Sequence, residues 1–309
     1  MIAFTAKTHP LPLRRKQAGH RAPPPAAAPR VAAAPCRSRR APHRLQAMAT
    51  AAEAMPQPMV IPRGPQETVQ QAAAACIRAF QAGVRRQRVE LLLPLVGATD
   101  LDDWPGGIRQ QFKAAQPMVE ELLRELKKEP GLEGPLSARI IEDGDAVAAW
   151  EGKSLAAVLF PTGETLKEVR KVADARKDGL VLIINPQWNN GNVVSDLGFL
   201  PWQRKANEEL VAGFREAYIL KQLRMNSDDV RLLYSYPSPW QINLSRPNDP
   251  TKSECVAQRE QRPSYKELEA LMRGVDWSMS SKPLGERLQY EAAFLRKSLD
   301  SNSSQQPPQ

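Results

Sequence analysis

The run Leu180-Val-Leu-Ile-Ile184, closed by Asn185-Pro186, constrains this chain more than any other feature. Consecutive apolar residues without polar alternation describe a strand covered on both faces, and a proline at its end stops the ladder. Upstream, Leu155 to Phe160 forms another apolar run, and Thr162 stands as a candidate N-cap for a helix over Gly163 to Ala173. Strand, helix and strand within about thirty residues is the parallel crossover unit, which is almost always right-handed. The expected fold is α/β: a three-layer, mainly parallel sheet with helices on both faces.

The surrounding pattern extends that unit in both directions. Pro65 opens a helix whose Val69, Ala72, Ala73, Cys76, Ile77 and Phe80 recur at three-and-four spacing. Arg88 to Leu93 reads as a strand ending at Pro94, and a second helix follows through Phe112, Val119, Leu122, Leu123 and Leu126, interrupted or restarted at Pro117. Ser137 to Ile141 reads as a short strand, Glu142 to Asp145 as a turn, and Ala146 to Trp150 as a short helix. Trp202 to Lys221 reads as one long helix. Beyond it, Val230 to Tyr236, Trp240 to Ser245 and Glu254 to Gln258 are short runs separated by proline-rich turns, the pattern of antiparallel edge strands toward the C-terminus. A closing helix starts near Pro263. The organisation expected is a leader over 1–48, a linker over 49–62, one α/β domain over 63–275, a peripheral helical extension over 276–299 and a disordered tail over 300–309.

The net charge of +9 belongs to the leader. Ten of the 43 Lys and Arg lie in residues 1–48, which hold no Asp or Glu; the remaining 33 stand against 34 acidic residues, leaving about −1. Nucleic-acid binding therefore does not follow from the basic pI. An acid-free, Arg- and Ala-rich start reads as an organelle import segment. Its prolines, including Pro23, Pro24, Pro25, Pro29 and Pro35, break the amphipathic helix that a mitochondrial presequence requires. A chloroplast transit peptide and a stromal protein are expected, without a transmembrane segment and with peripheral thylakoid contact allowed.

Residue types narrow the chemistry. His9, His20 and His43 all lie in the leader, so imidazole-based nucleophilic catalysis and His-metal sites have no donor in the rest of the chain. Cys76 and Cys255 stand apart without metal-ligand spacing, and Cys76 reads as a small buried hydrophobe. No catalytic residue, metal or cofactor is assigned. Two sets of candidate residues remain. Glu142, Asp143, Asp145, Thr162, Asn185 and Asn189 fall near strand ends, where open α/β sheets hold ligands, although Asp143-Gly144 and Asn185-Pro186 are also plain turn and stop signals. Trp188, Phe199 and Trp202 lie in or beside a long Gly/Asn-rich loop and offer anchors for a protein partner, unless their rings cap the core beneath. Arg85 and Arg86 form a short basic patch that suits an acidic partner.

The order of "PQETVQQAAAAC", "RVELLLP", "LVLIINPQW", "EELVAGFREAYIL", "VRLLYSYPSPWQI" and "RPSYKELEALM" resembles the plant and cyanobacterial family called domain of unknown function nineteen ninety-five, over Pro65 to Arg273. The resemblance implies a chloroplast protein. One branch of that family, the low photosystem II accumulation proteins, assists photosystem assembly, and another carries the domain fused to an adenylate kinase. The second branch makes Gly152-Lys-Ser154 worth testing as a phosphate loop. Val147 occupies the position where the leading glycine belongs, and a strand rather than a helix follows, so the fragment reads as a turn. The expected function is a non-catalytic stromal auxiliary or assembly factor for the photosynthetic apparatus, photosystem II included. The alternative is an enzyme or binding domain for a nucleotide or phosphorylated metabolite at the strand-end crevice.

Overall fold

A computed structural model describes residues 57–94, 107–188, 201–247 and 249–303. In chain order the elements are α1 (Pro65–Gln81), β1 (Arg86–Glu90), α2 (Gly107–Leu126), β2 (Ser137–Glu142), β3 (Val147–Glu151), β4 (Leu155–Leu159), α3 (Leu166–Asp174) and β5 (Leu180–Ile184). They continue with α4 (Pro201–Ala212), β6 (Arg215–Met225), β7 (Asp228–Ser235), β8 (Trp240–Arg246), β9 (Asp249–Arg259), α5 (Tyr265–Arg273) and α6 (Leu284–Ser303). Among the described residues the strands make one nine-stranded sheet in the order β2-β3-β4-β5-β1-β6-β7-β8-β9.

β5 lies inside that sheet, hydrogen-bonded in parallel to β4 on one side and β1 on the other. Its five residues are all buried. Leu180, Leu182 and Ile184 join a core cluster with α1 and α2, while Val181 and Ile183 join a second cluster with α3. Two apolar coverings explain why the run lacks alternation: each successive side chain meets a helix on its own face. β6 to β9 form an antiparallel half, whose Ile219, Val230, Leu232, Trp240, Ile242 and Leu244 pack with Leu268 and Met272 of α5. Ser264 and Glu267 start α5 with a reciprocal capping box, each satisfying a backbone N–H of the other.

Four expectations need correction. The sheet is mixed, not mainly parallel: β4-β5, β5-β1 and β1-β6 run parallel, and every other neighbouring pair is antiparallel. The segment Trp202 to Lys221 is not one helix. α4 ends at Ala212, the Gly213 N–H donates to the Glu209 and Leu210 carbonyls, and the chain then enters β6 beside β1. The stretch read as a helix over Ala146 to Trp150 instead ends the β2–β3 turn at Ala146 and then forms β3, flanked by β2 and β4. α3 begins at Leu166, with Thr165 at its N-cap position, instead of at Thr162.

The C-terminal extension is fastened to the sheet. The buried Asp228 carboxylate accepts from Ser278 Oγ at 2.5 Å and from the Met279 and Ser280 N–H groups at 2.8 Å each. Arg224 adds an ion pair to Glu291 of α6 at 3.1 Å. Asp228→Ala strands the Ser278 hydroxyl and the Met279 N–H in a buried site, the Ser280 N–H keeping Ser278 Oγ at 2.9 Å, and is expected to cost about 3 kcal/mol in urea unfolding, since each orphaned donor forfeits part of its solvation. Limited proteolysis of that variant should cut first in the 276–283 segment.

Candidate functional site

Parallel β1, β4 and β5 bring their carboxyl ends to one edge, and the turn from β2 to β3 lies at the same edge. Three non-glycine residues with left-handed backbones mark it: Ala146 (φ 52°), Phe160 (φ 54°) and Asn185 (φ 46°). Such conformations persist where neighbouring bonds hold them. Asn185 supplies those bonds to β1. Its Oδ1 accepts from the Leu91 N–H at 2.7 Å and its Nδ2 donates to the Leu91 carbonyl at 2.8 Å, so the side chain continues the ladder where the backbone leaves it. Gln187 Nε2 donates to the Asp145 carbonyl at 2.9 Å and to the Phe160 carbonyl at 3.0 Å, tying the β2–β3 turn to the end of β4.

The other strand-end candidates are engaged in the same local way. Glu142 accepts from the Gly144 N–H at 2.7 Å and the Asp145 N–H at 2.5 Å. Asp143 pairs with Arg109 at 2.8 Å in an exposed position. The Thr162 N–H donates to Thr165 Oγ1 at 2.8 Å, closing the turn into α3. Asn189 lies outside the described residues. The structure thus brings Asp145, Phe160 and Gln187 together, and it uses the Glu142 carboxylate as the acceptor of its own turn. Among the described residues, no group of three or more His, Cys, Asp or Glu has the arrangement of a metal site.

The proposed partner-binding residues fall in different places. Trp188 is buried in the cluster with α3, 3% exposed, so its ring caps the core and is not presented to solvent. Trp202 is 67% exposed on the first turn of α4. Phe199 lies outside the described residues. Arg85 stacks on the Phe80 ring at 4.1 Å. Arg86 donates to the Ala173 carbonyl at 2.5 Å and the Arg176 carbonyl at 3.1 Å, placing its positive charge at the C-terminal end of α3, where the helix dipole favours it. Both arginines therefore have structural contacts of their own.

Cys76, read as a small buried hydrophobe, and Gly152, read as part of a turn, have structural accounts of their own. Cys76 is fully buried, and that burial pushes its thiol up to about 12, which removes the thiolate needed for chemistry. Gly152 closes the hairpin from β3 to β4, its N–H donating to the Leu155 carbonyl at 2.9 Å. A Cβ there would lie 2.8 Å from the Pro135 carbonyl oxygen, which accounts for the glycine without any phosphate.

A further opening lies elsewhere, in a place not singled out from the sequence. An open cavity of about 1070 Å³ separates residues 58–65 from the antiparallel half of the sheet. Its floor includes a cross-strand row set by register: Gln222 opposite Arg231, Arg231 opposite Asn243, and Asn243 opposite Cys255. Arg231, Asn243 and Cys255 line the cavity directly. Its roof is the stretch read as linker: Ile61 packs against the core, Pro62 is buried, and the Val60 carbonyl accepts from Gln71 Nε2 at 2.9 Å. The available signal was the alternation Trp-Gln-Ile-Asn-Leu-Ser over 240–245. It sends apolar residues toward α5 and polar ones to the opposite face.

A family model described as a domain of unknown function, DUF1995, matches residues 62–270. No curated protein and no solved structure matches the chain significantly. No described helix is long and apolar enough to cross a membrane.

Proposed function

We propose that this chain, which belongs to the DUF1995 family, acts in the chloroplast stroma as a non-catalytic auxiliary factor that holds a protein of the photosynthetic apparatus, photosystem II being the assembly served. One observation carries the reading against a strand-end enzyme: the amides of Asn185 and Gln187 and the carboxylate of Glu142 at that edge are committed to the fold. Asn185 and Gln187 bond backbone groups of neighbouring strands, and Glu142 holds its own turn. A general acid or base needs its proton-carrying atom free for substrate, and both carboxylate oxygens of Glu142 are taken by its own turn. The acid-free leader supports the compartment.

Trp202 supplies the contact. Large apolar rings are usually withdrawn from water, and a tryptophan presented on a helix face is a strong interface anchor. Trp202→Ala removes no buried contact of the core, so the melting temperature and circular dichroism should stay unchanged. Recovery of the partner with tagged full-length chain from chloroplasts should fall about fivefold or more. Unchanged recovery contradicts this surface. Saturable binding of a nucleotide, lost on substituting Gln187, would instead support the strand-end ligand reading.

A further inference from the structure

We infer that the cavity between residues 58–65 and the antiparallel half of the sheet binds a small amphipathic anion, an apolar body carrying one carboxylate or phosphate-monoester head. This site begins beside Leu91 but uses none of the strand-end side chains and is independent of Trp202, so either can fail alone.

Arg231 selects the charge. Its Nε donates to Gln222 Oε1 at 3.2 Å, which fixes the plane of the guanidinium. Among the described residues neither terminal nitrogen has a carboxylate partner, and Arg231 sits half-buried in the cavity floor. The acids close by are engaged with other cations: Asp229 with Arg224 at 3.4 Å, and Glu254, which itself lines the cavity, with Arg246 at 2.6 Å. Asp229 feels the Arg231 charge but makes its ion pair with Arg224, so the half-buried guanidinium keeps two terminal nitrogens that match the paired oxygens of a carboxylate or phosphate. Asn243, only 3% exposed, stands beside it; its Nδ2 donates to the Arg231 carbonyl at 3.4 Å and keeps a second N–H able to bond the same head. Arg63 and Lys252 add positive charge to the lining, Lys252 being paired with Asp249 at 3.0 Å in an exposed, screened contact.

The walls select the body. Met59, Ile61, Leu92, Leu93 and Leu220 line the same space, so an apolar tail lies against hydrocarbon while its head meets Arg231. The volume is about that of small-molecule sites, roughly 300–1,000 Å³, and the mixture of apolar walls with a few convergent polar groups is their usual chemistry.

The test uses the full chain and three soluble probes of equal tail length: octanoate, octyl phosphate and octan-1-ol, each titrated by calorimetry. The expected result is saturable one-to-one binding of at least one of the anions, about tenfold or more tighter than the alcohol. Octanoate against octyl phosphate tells which head the site prefers, and either preference supports the assignment. Arg231→Gln should erase the preference while leaving the alcohol's affinity and the melting temperature unchanged, and Arg231→Lys should restore part of it. Anions that bind no tighter than octan-1-ol to the unmodified chain overturn the proposal, and so does a preference that survives in folded Arg231→Gln. If the variants do not fold, the unmodified chain decides by the anion-to-alcohol ratio alone.

Discussion

Gly179→Ala is expected to destabilise the protein by about 3 kcal/mol in urea unfolding, the upper part of the range for overpacking a tight site. Gly179 leads into β5, and its own N–H donates to the Arg176 carbonyl at 3.2 Å. A Cβ at this position would lie 2.5 Å from the Ser154 carbonyl oxygen and 3.0 Å from its carbonyl carbon. Those atoms are backbone, so no rotamer change relieves the overlap. They cannot withdraw either, because the Ser154 carbonyl accepts the Leu180 N–H at 2.8 Å, the bond that begins the pairing of β4 with β5. The variant must therefore open the sheet where the two strands meet. A loss below about 1 kcal/mol would mean that the two segments do not approach as described.

Asn185→Ala acts at the other end of the same strand, with a similar expected loss of about 3 kcal/mol. Leu91 is 3% exposed, and its N–H and carbonyl both bond the Asn185 amide. Truncation leaves two backbone groups dry and unpaired, each costing about 1–3 kcal/mol with partial relaxation. It also puts alanine at φ 46°, a region that asparagine tolerates better. Asn185→Gly separates the two contributions. It relieves the backbone but not the missing bonds, and should recover about 1 kcal/mol of the loss. Equal stability of the alanine and native proteins would show that Leu91 finds its partners elsewhere.

Much of the parallel centre was legible from residues alone, for a physical reason. Leu155 to Leu159 and Leu180 to Ile184 are covered on both faces, so a continuous apolar run is their direct signature. The same double covering obscured β6. From Arg215 onward, Ala217, Tyr218, Ile219 and Leu220 are all buried, which erases the alternation that separates a strand from a helix, and Leu210, Phe214 and Ala217 happen to fit helical spacing. Gly213 was the one local mark of the break. Trp188 misled in the opposite sense: beside a Gly/Asn-rich loop it reads as available, whereas contacts with distant apolar residues bury it.

The candidate sites differ in the same respect. Asn185 and Glu142 were visible as strand-end polar residues, but whether such an amide holds a ligand or a neighbouring strand depends on Leu91, far away in the chain. The cavity was not visible because its roof at 58–65 and its floor at Arg231 and Asn243 meet only through tertiary packing. Its polar floor was already implicit in the alternation of β8, which supplied one wall without saying what faced it.

Amide hydrogen exchange on the intact chain measures most directly whether the end of the central strands is closed by its own side chains. The Leu91 N–H, whose acceptor is Asn185 Oδ1, should exchange as slowly as the amides of Val181 to Asn185, two of which bond the Arg85 and Val89 carbonyls. A Leu91 amide exchanging at the rate of an exposed turn, while its neighbours in β1 and β5 stay protected, would contradict the account and return that edge to the candidates for a ligand.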